Sequence, residues 1–120
     1  MKKLFLASVL LLAVTSVFSQ KWEYLQISAI ESVVPGGLGR SRLITTDKSN
    51  QAIEIELENF YSLVGINFKN IRNNDQVIVK KINELADQGW ELYQTVSGVE
   101  SSEKSTGIFI TRYIFRREKK

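Results

Sequence analysis

The last strand-like segment places the hardest constraint on how this chain can fold. Residues 108–117 read Ile-Phe-Ile-Thr-Arg-Tyr-Ile-Phe-Arg-Arg. Side chains alternate across a strand, so Ile108, Ile110 and Ile114 share one face and Phe109, Tyr113 and Phe115 the other. A strand that is apolar on both sides has to be covered on both sides. The clearest helix in the sequence is about fourteen residues, or ~21 Å, and shields one face only. The second cover is then the apolar segment 60–71, a second subunit, or a partner protein. Arg112 and Arg116 interrupt the isoleucine face, where they can anchor a carboxylate or pair with Glu23 or Glu91 across the sheet. The expected interaction surface is Trp22, Tyr24, Phe109, Arg112, Tyr113 and Phe115, with a homo-oligomer or an envelope protein as partner.

The rest of the chain supplies neighbours for that strand. Residues 22–33 are rich in aromatic and β-branched side chains and predict a strand, with Trp22 and Tyr24 on one face and Leu25, Ile27 and Ala29 on the other. Pro35-Gly36-Gly37-Leu38-Gly39 breaks it, a short strand follows over 42–46, and Asp47-Lys48-Ser49-Asn50 forms a polar turn. Ile53-Glu54-Ile55-Glu56-Leu57-Glu58 alternates with period two, the mark of a half-buried strand. Ile53, Leu57, Phe60 and Val64 also fit a helical stripe, although Ile55 spoils it. Segment 60–71 has no clean period and reads as an ordered, partly buried connection with room for a helical turn.

The helix is expected to begin at Asn73-Asn74-Asp75-Gln76, which resembles a capping box with Asn in the capping position. Ile78, Ile82, Leu85 and Ala86 then form its apolar stripe. Gly89 is the left-handed residue that ends it, and Trp90 can fold back on Leu85, which assigns Trp90 to the core. Strands over 90–99 and 108–117, joined by a polar loop over 100–107, close the chain as a hairpin. The predicted class is α+β: an antiparallel sheet of about four to five strands with one principal helix packed on one face.

The first residues read as an address. Lys2 and Lys3 precede an apolar run over 4–14, and small residues Val17 and Ser19 occupy the positions a signal peptidase reads. Residues 1–19 are therefore expected to be a signal peptide cleaved between Ser19 and Gln20, leaving 20–120 as a single small domain. The run is about half the ~20 apolar residues that a membrane span needs. The destination is the periplasm or the medium, with no transmembrane segment in the mature chain. Of 16 basic residues, loss of Lys2 and Lys3 leaves 14 against 13 acidic ones, a net charge of +1. The tail 116–120 contributes +3 of this and reads as a solvated terminus. A near-neutral exported body argues against a nucleic-acid partner, because such binding neutralises several phosphates.

With no cysteine and no histidine, the chain has no disulfide framework, no thiol nucleophile, no Cys/His zinc site and no Ser-His-Asp triad. Three patterns mimic sites. The glycine-rich run 36–39 lacks both a following helix and a Lys-Ser/Thr pair, so it reads as a hairpin loop rather than a phosphate cradle. Asp47, Ser49 and Gln51 with Glu58 have calcium-loop spacing, but Ala52 stands where the loop needs glycine. Glu54, Glu56 and Glu58 follow one another at ~7 Å along a strand face, near the spacing of paired glycosidase carboxylates. A charged edge that discourages aggregation is the simpler reading. No catalytic, cofactor-binding or metal-ligating residue is assigned.

Trp22-Glu23-Tyr24, the Ile-Asn-Glu-Leu core over 82–85, Gly89-Trp90-Glu91-Leu92 and Tyr113-Ile114-Phe115-Arg116-Arg117 together resemble a bacterial family of small uncharacterised domains. The resemblance covers 22–24 and roughly 77–117; some fifty residues stand between the first strand and the helix as an insertion. It implies a small α+β fold and carries no activity, cofactor or catalytic residue. The expectation is thus an exported, non-catalytic interaction or accessory module of the cell envelope. The competing readings are a carboxylate-based hydrolase of envelope glycans, through Glu54 or Glu56, and a small-ligand carrier using Trp22, Tyr24 and the glycine-rich loop.

Overall fold

A computed structural model of the chain describes residues 21–37, 39–47, 49–103 and 106–120. The leader expected over 1–19 lies outside the described residues. The strands are β1 (Trp22–Ser32), β2 (Ser41–Thr46), β3 (Ala52–Leu57), β4 (Tyr61–Ser62), β5 (Gly65–Ile66), β6 (Glu91–Glu103) and β7 (Thr106–Glu118), with helix α1 (Phe68–Asp87) between β5 and β6. β3-β2-β1-β7-β6 form one sheet in that order, antiparallel throughout, and β4-β5 make a small separate hairpin. The class is α+β with one long helix on a sheet, as the patterning predicts. Among the described residues no helix is long and apolar enough to cross a membrane.

Register explains the core. Leu25 pairs with Phe115 and Ile27 with Tyr113, while Ala29 pairs with Leu43 and Leu43 with Ile55. Their side chains therefore line one face, where Ile78 and Leu85 of α1 meet them together with Leu57 and Trp90. The β1 parity follows directly from its period, and Ile78, Ile82 and Leu85 of the expected α1 stripe face the core, whereas Ala86 is exposed. Gly89 does stop the helix: at φ +86° it lets the Trp90 N–H reach the Leu85 carbonyl at 3.0 Å, and its own N–H reaches Ala86 at 2.9 Å. This paired closure brings Trp90 onto Leu85, and both belong to the core.

The helix start differs from expectation. The cap is Asn67, whose side-chain oxygen accepts from the N–H groups of Lys69 and Asn70 at 3.1 and 3.3 Å. Residues 73–76 lie inside the helix. Asn73 and Asn74, which suggested a cap, are instead tertiary ties, as is Asn70, which donates to the Asn59 carbonyl at 2.9 Å. Asn73 donates to the Glu58 carboxylate at 2.7 Å. Asn74, only 1% exposed, accepts from the Glu58 N–H at 2.8 Å and donates to the Glu58 carbonyl at 2.7 Å and to Glu31 at 3.1 Å. Side chains that serve a distant backbone carry no local signal distinguishing them from caps.

The expected strand over 53–58 is present as β3, and two further expectations are revised. The segment 52–64 is strand β3 followed by β4, without the helical alternative, and Glu58 falls beyond the strand. Segment 60–71 is the β4-β5 hairpin and the first turn of α1, and Tyr61, Ser62 and Leu63 line a cavity with Arg42 and Glu56 at the sheet's edge. Phe60 lies against Phe109 on the helix side, with ring centroids 5.7 Å apart. The final hairpin is longer than predicted, since β6 runs to Glu103 and β7 starts at Thr106. Ladder pairing extends through Glu100 opposite Ile108, where polar composition alone suggests a loop.

Candidate interaction surface

The side of the sheet away from α1 is built from alternate residues of its strands. Trp22, Tyr24, Gln26, Ser28 and Ile30 come from β1, and Ile108, Ile110, Arg112, Ile114 and Arg116 from β7. Ile44 and Arg42 of β2 and Glu54 and Glu56 of β3 extend it on one side, and Val96 and Tyr93 of β6 on the other. Helix α1 packs on the opposite side, and at the Ser32–Ile108 end the chain at Gly39 lies against the buried Ser32 side chain. Its isoleucines are half-buried by their neighbours in the sheet, while Tyr24, Tyr93 and Val96 are 50, 51 and 51% exposed. The face is mixed, with half-buried isoleucines interleaved with Gln26, Ser28 and Arg112, and its exposed apolar groups Tyr24, Tyr93 and Val96 make it a candidate interaction surface.

The face is organised at one end by stacking. The Arg116 guanidinium sits 4.3 Å from the ring centroids of both Trp22 and Tyr93, and 3.4 Å from the Glu91 carboxylate. Tyr24 meets Tyr93 at 6.3 Å between centroids. A β-bulge between Leu92 and Gln94 turns Tyr93 to this side. At the other edge Arg42 holds Glu54 at 4.0 Å and Glu56 at 3.6 Å. Between these groups Arg112 stands exposed among Ser28, Val96, Ile110 and Ile114, without an ion pair or hydrogen bond to any described residue.

The structure divides the expected surface between two faces. Trp22, Tyr24 and Arg112 lie together on the open side. Phe109, Tyr113 and Phe115 point the other way, and Phe115 is 1% exposed beneath α1. Those three therefore belong to the helix-covered side, and the surface that remains open is the isoleucine face. Ile30, Ile44, Tyr93 and Val96 complete it. The parity of Trp22 and Tyr24 carried forward to Ile30 was the available signal for one of them; the bulge at Tyr93 left none. Of the cross-sheet pairings expected, Arg116 does take Glu91, while Glu23 is held by Arg117. Arg117 also lies 4.2 Å from the Trp90 ring and donates to the Gln88 carbonyl at 3.1 Å, so this basic residue fastens the end of α1.

The site mimics resolve into structure. Asp47 accepts from Ser49 and Gln51 N–H groups at 2.8 and 2.9 Å and from the Ser49 hydroxyl at 2.7 Å, closing the β2-β3 turn. The Ser49 hydroxyl, above all, together with the Gln51 N–H holds the Asp47 carboxyl below its ordinary value. Gly39 is required by proximity, since a Cβ there would come within 1.9 Å of the Ser32 hydroxyl. Among the described residues no group of three or more acidic, His or Cys side chains is placed to hold a metal ion.

On the helix side, burial lifts the Glu31 carboxyl above its ordinary 4.5; the Asn74 hydrogen bond offsets part of that rise and Asp75 adds to it. Burial likewise raises Tyr113, with Glu31 and Asp75 contributing. A carboxyl raised in the folded state favours the protonated form. Its contribution is therefore full below the ordinary value and is lost as pH rises through the folded value. Glu31→Gln keeps an oxygen for Asn74 and removes that titration. Thermal melts should show the variant above wild type at neutral pH and level with it in mild acid; equal melts throughout would contradict the assignment.

No protein-family model, curated protein or solved structure matches the chain.

Proposed function

We propose that the chain is an exported, non-catalytic accessory module of the bacterial envelope that works by docking another protein surface onto its helix-free sheet face. The observation that carries this reading is the field of Ile30, Ile44, Ile110, Ile114 and Val96, on the side of the sheet opposite α1. Exchange of that field from water to a protein surface stabilises a complex at about 25 cal/mol per Å² of apolar area, before the losses of association. The carboxylates of the hydrolase alternative support the non-catalytic part: Glu54 and Glu56 stand on an open strand beside Arg42 rather than across a cleft. Kinship with the small uncharacterised bacterial domains belongs to the same reading, as does cleavage after Ser19.

The test places a photo-crosslinking amino acid at Ser28, central on the face, and irradiates intact cells. A discrete adduct is expected. Absence of any adduct at Ser28, while a probe at solvent-facing Lys80 behaves the same, would refute docking through this face.

A further inference from the structure

We infer that the occupant of this face is a second copy of the chain, packed sheet to sheet about a two-fold axis, with Arg112 of each copy set against Glu54 of the other. This rests on the docking reading and names its partner. The register supplies the argument. Ser28 pairs with Arg112 on β7 and with Ile44 on β2, and Ile44 pairs with Glu54 on β3. All four residues therefore lie in one row across the sheet, Arg112 one strand to one side of β1 and Glu54 two strands to the other.

A two-fold axis lying in the face along β1 carries β7 of one copy over β2 of the other. Arg112 then lands above Ile44, one strand spacing of ~4.8 Å from Glu54, within the reach of an arginine side chain. Symmetry makes the pair twice. Ile30, on the axis strand, meets Ile30. The exposed guanidinium that has no described partner gains one, and among the described residues Glu54 has only the long 4.0 Å contact with Arg42 to compete. Arg42 keeps its shorter contact, with Glu56 at 3.6 Å.

Size agrees with this. Five strands at ~4.8 Å spacing and ~3.3 Å per residue give a face on the order of 700 Å². A stable protein interface buries about 800 Å² on each partner. The face thus has the extent of a standard two-fold contact and a self-complementary charge pattern within it.

Sedimentation equilibrium on the purified protein tests the inference. The wild type is expected to be a dimer in the micromolar range. Arg112→Glu should raise the dimer dissociation constant about tenfold or more. Adding Glu54→Arg to Arg112→Glu should recover most of the loss, a result that misfolding does not produce. A wild type that stays monomeric at about 100 µM, well above a micromolar Kd, would overturn the inference. So would a dimer indifferent to Arg112→Glu, or a double variant no tighter than the single one. The Ser28 crosslink separates the two levels: an adduct of twice the chain mass supports the second copy. An adduct with a different protein keeps the docking reading and overturns the dimer, and no adduct overturns both.

Discussion

Phe115→Ala is expected to lower stability by about 3–5 kcal/mol, the range for emptying a buried aromatic site. Ile114→Ala, its neighbour on the same strand, is expected to remove only about 1 kcal/mol, since half-burial leaves less area to lose. Phe115 is 1% exposed and packs with Leu25 and Ile27 of β1 beneath Leu85 and Trp90. Ile114 faces the open side opposite Gln26 and Gln94. A small domain holds ~5–15 kcal/mol in total, so the first substitution takes a large share of it. Urea unfolding of the two variants measures the difference directly. Equal losses would mean that Ile114 is as buried as Phe115 in solution, which at low protein concentration contradicts an open face.

The second large effect is at a polar residue. Asn74→Leu should lower stability by about 2 kcal/mol, because it removes the buried side-chain partner of the part-buried Glu58 N–H and carbonyl. A lost bond costs ~1 kcal/mol, and more where water cannot replace it. Asn74 currently satisfies both at 2.8 and 2.7 Å and also reaches Glu31. Asn67→Ala should remove about 1 kcal/mol, the ordinary value of a helix cap. Asn73→Ala should cost less than about 0.5 kcal/mol, as for most surface substitutions, since its bond to the Glu58 carboxylate is exposed. The order Asn74, Asn67, Asn73 is read from denaturation midpoints at constant slope. Were Asn73 the largest, the helix would begin where the sequence pattern places it.

That contrast shows why part of the molecule was legible and part was not. The parity of β1, the alternation of β3, the stripe on α1 and the stop at Gly89 depend on residues within a few positions of one another, and local periodicity reports them. Asn74 resembles a cap because its partners, Glu58 and Glu31, are distant in sequence. The length of β6 and β7 was hidden for a related reason. Ladder hydrogen bonds run through the backbone, so polar residues such as Glu100 and Ser101 can extend an edge hairpin without an apolar signal. The candidate surface was half legible. Trp22, Tyr24 and Arg112 fall on the side away from α1, whereas Phe109, Tyr113 and Phe115 fall on the helix side of the same sheet.

By itself the sequence determined that the last strand is apolar on both sides and which residues belong to each side, because side-chain parity is a property of the extended backbone alone. Which side receives the helix was a tertiary decision. Both faces of β7 offer apolar surface, so hydrophobic patterning is indifferent between them. Specific polar ties are not. Asn74 reaches Glu31 on the Leu25-Ile27 side of β1 and the backbone at the end of β3, and Arg117 stacks on Trp90 beside the helix terminus. These contacts hold α1 over Phe115, and since one helix can cover only one side of a sheet, α1 does not cover the isoleucine face.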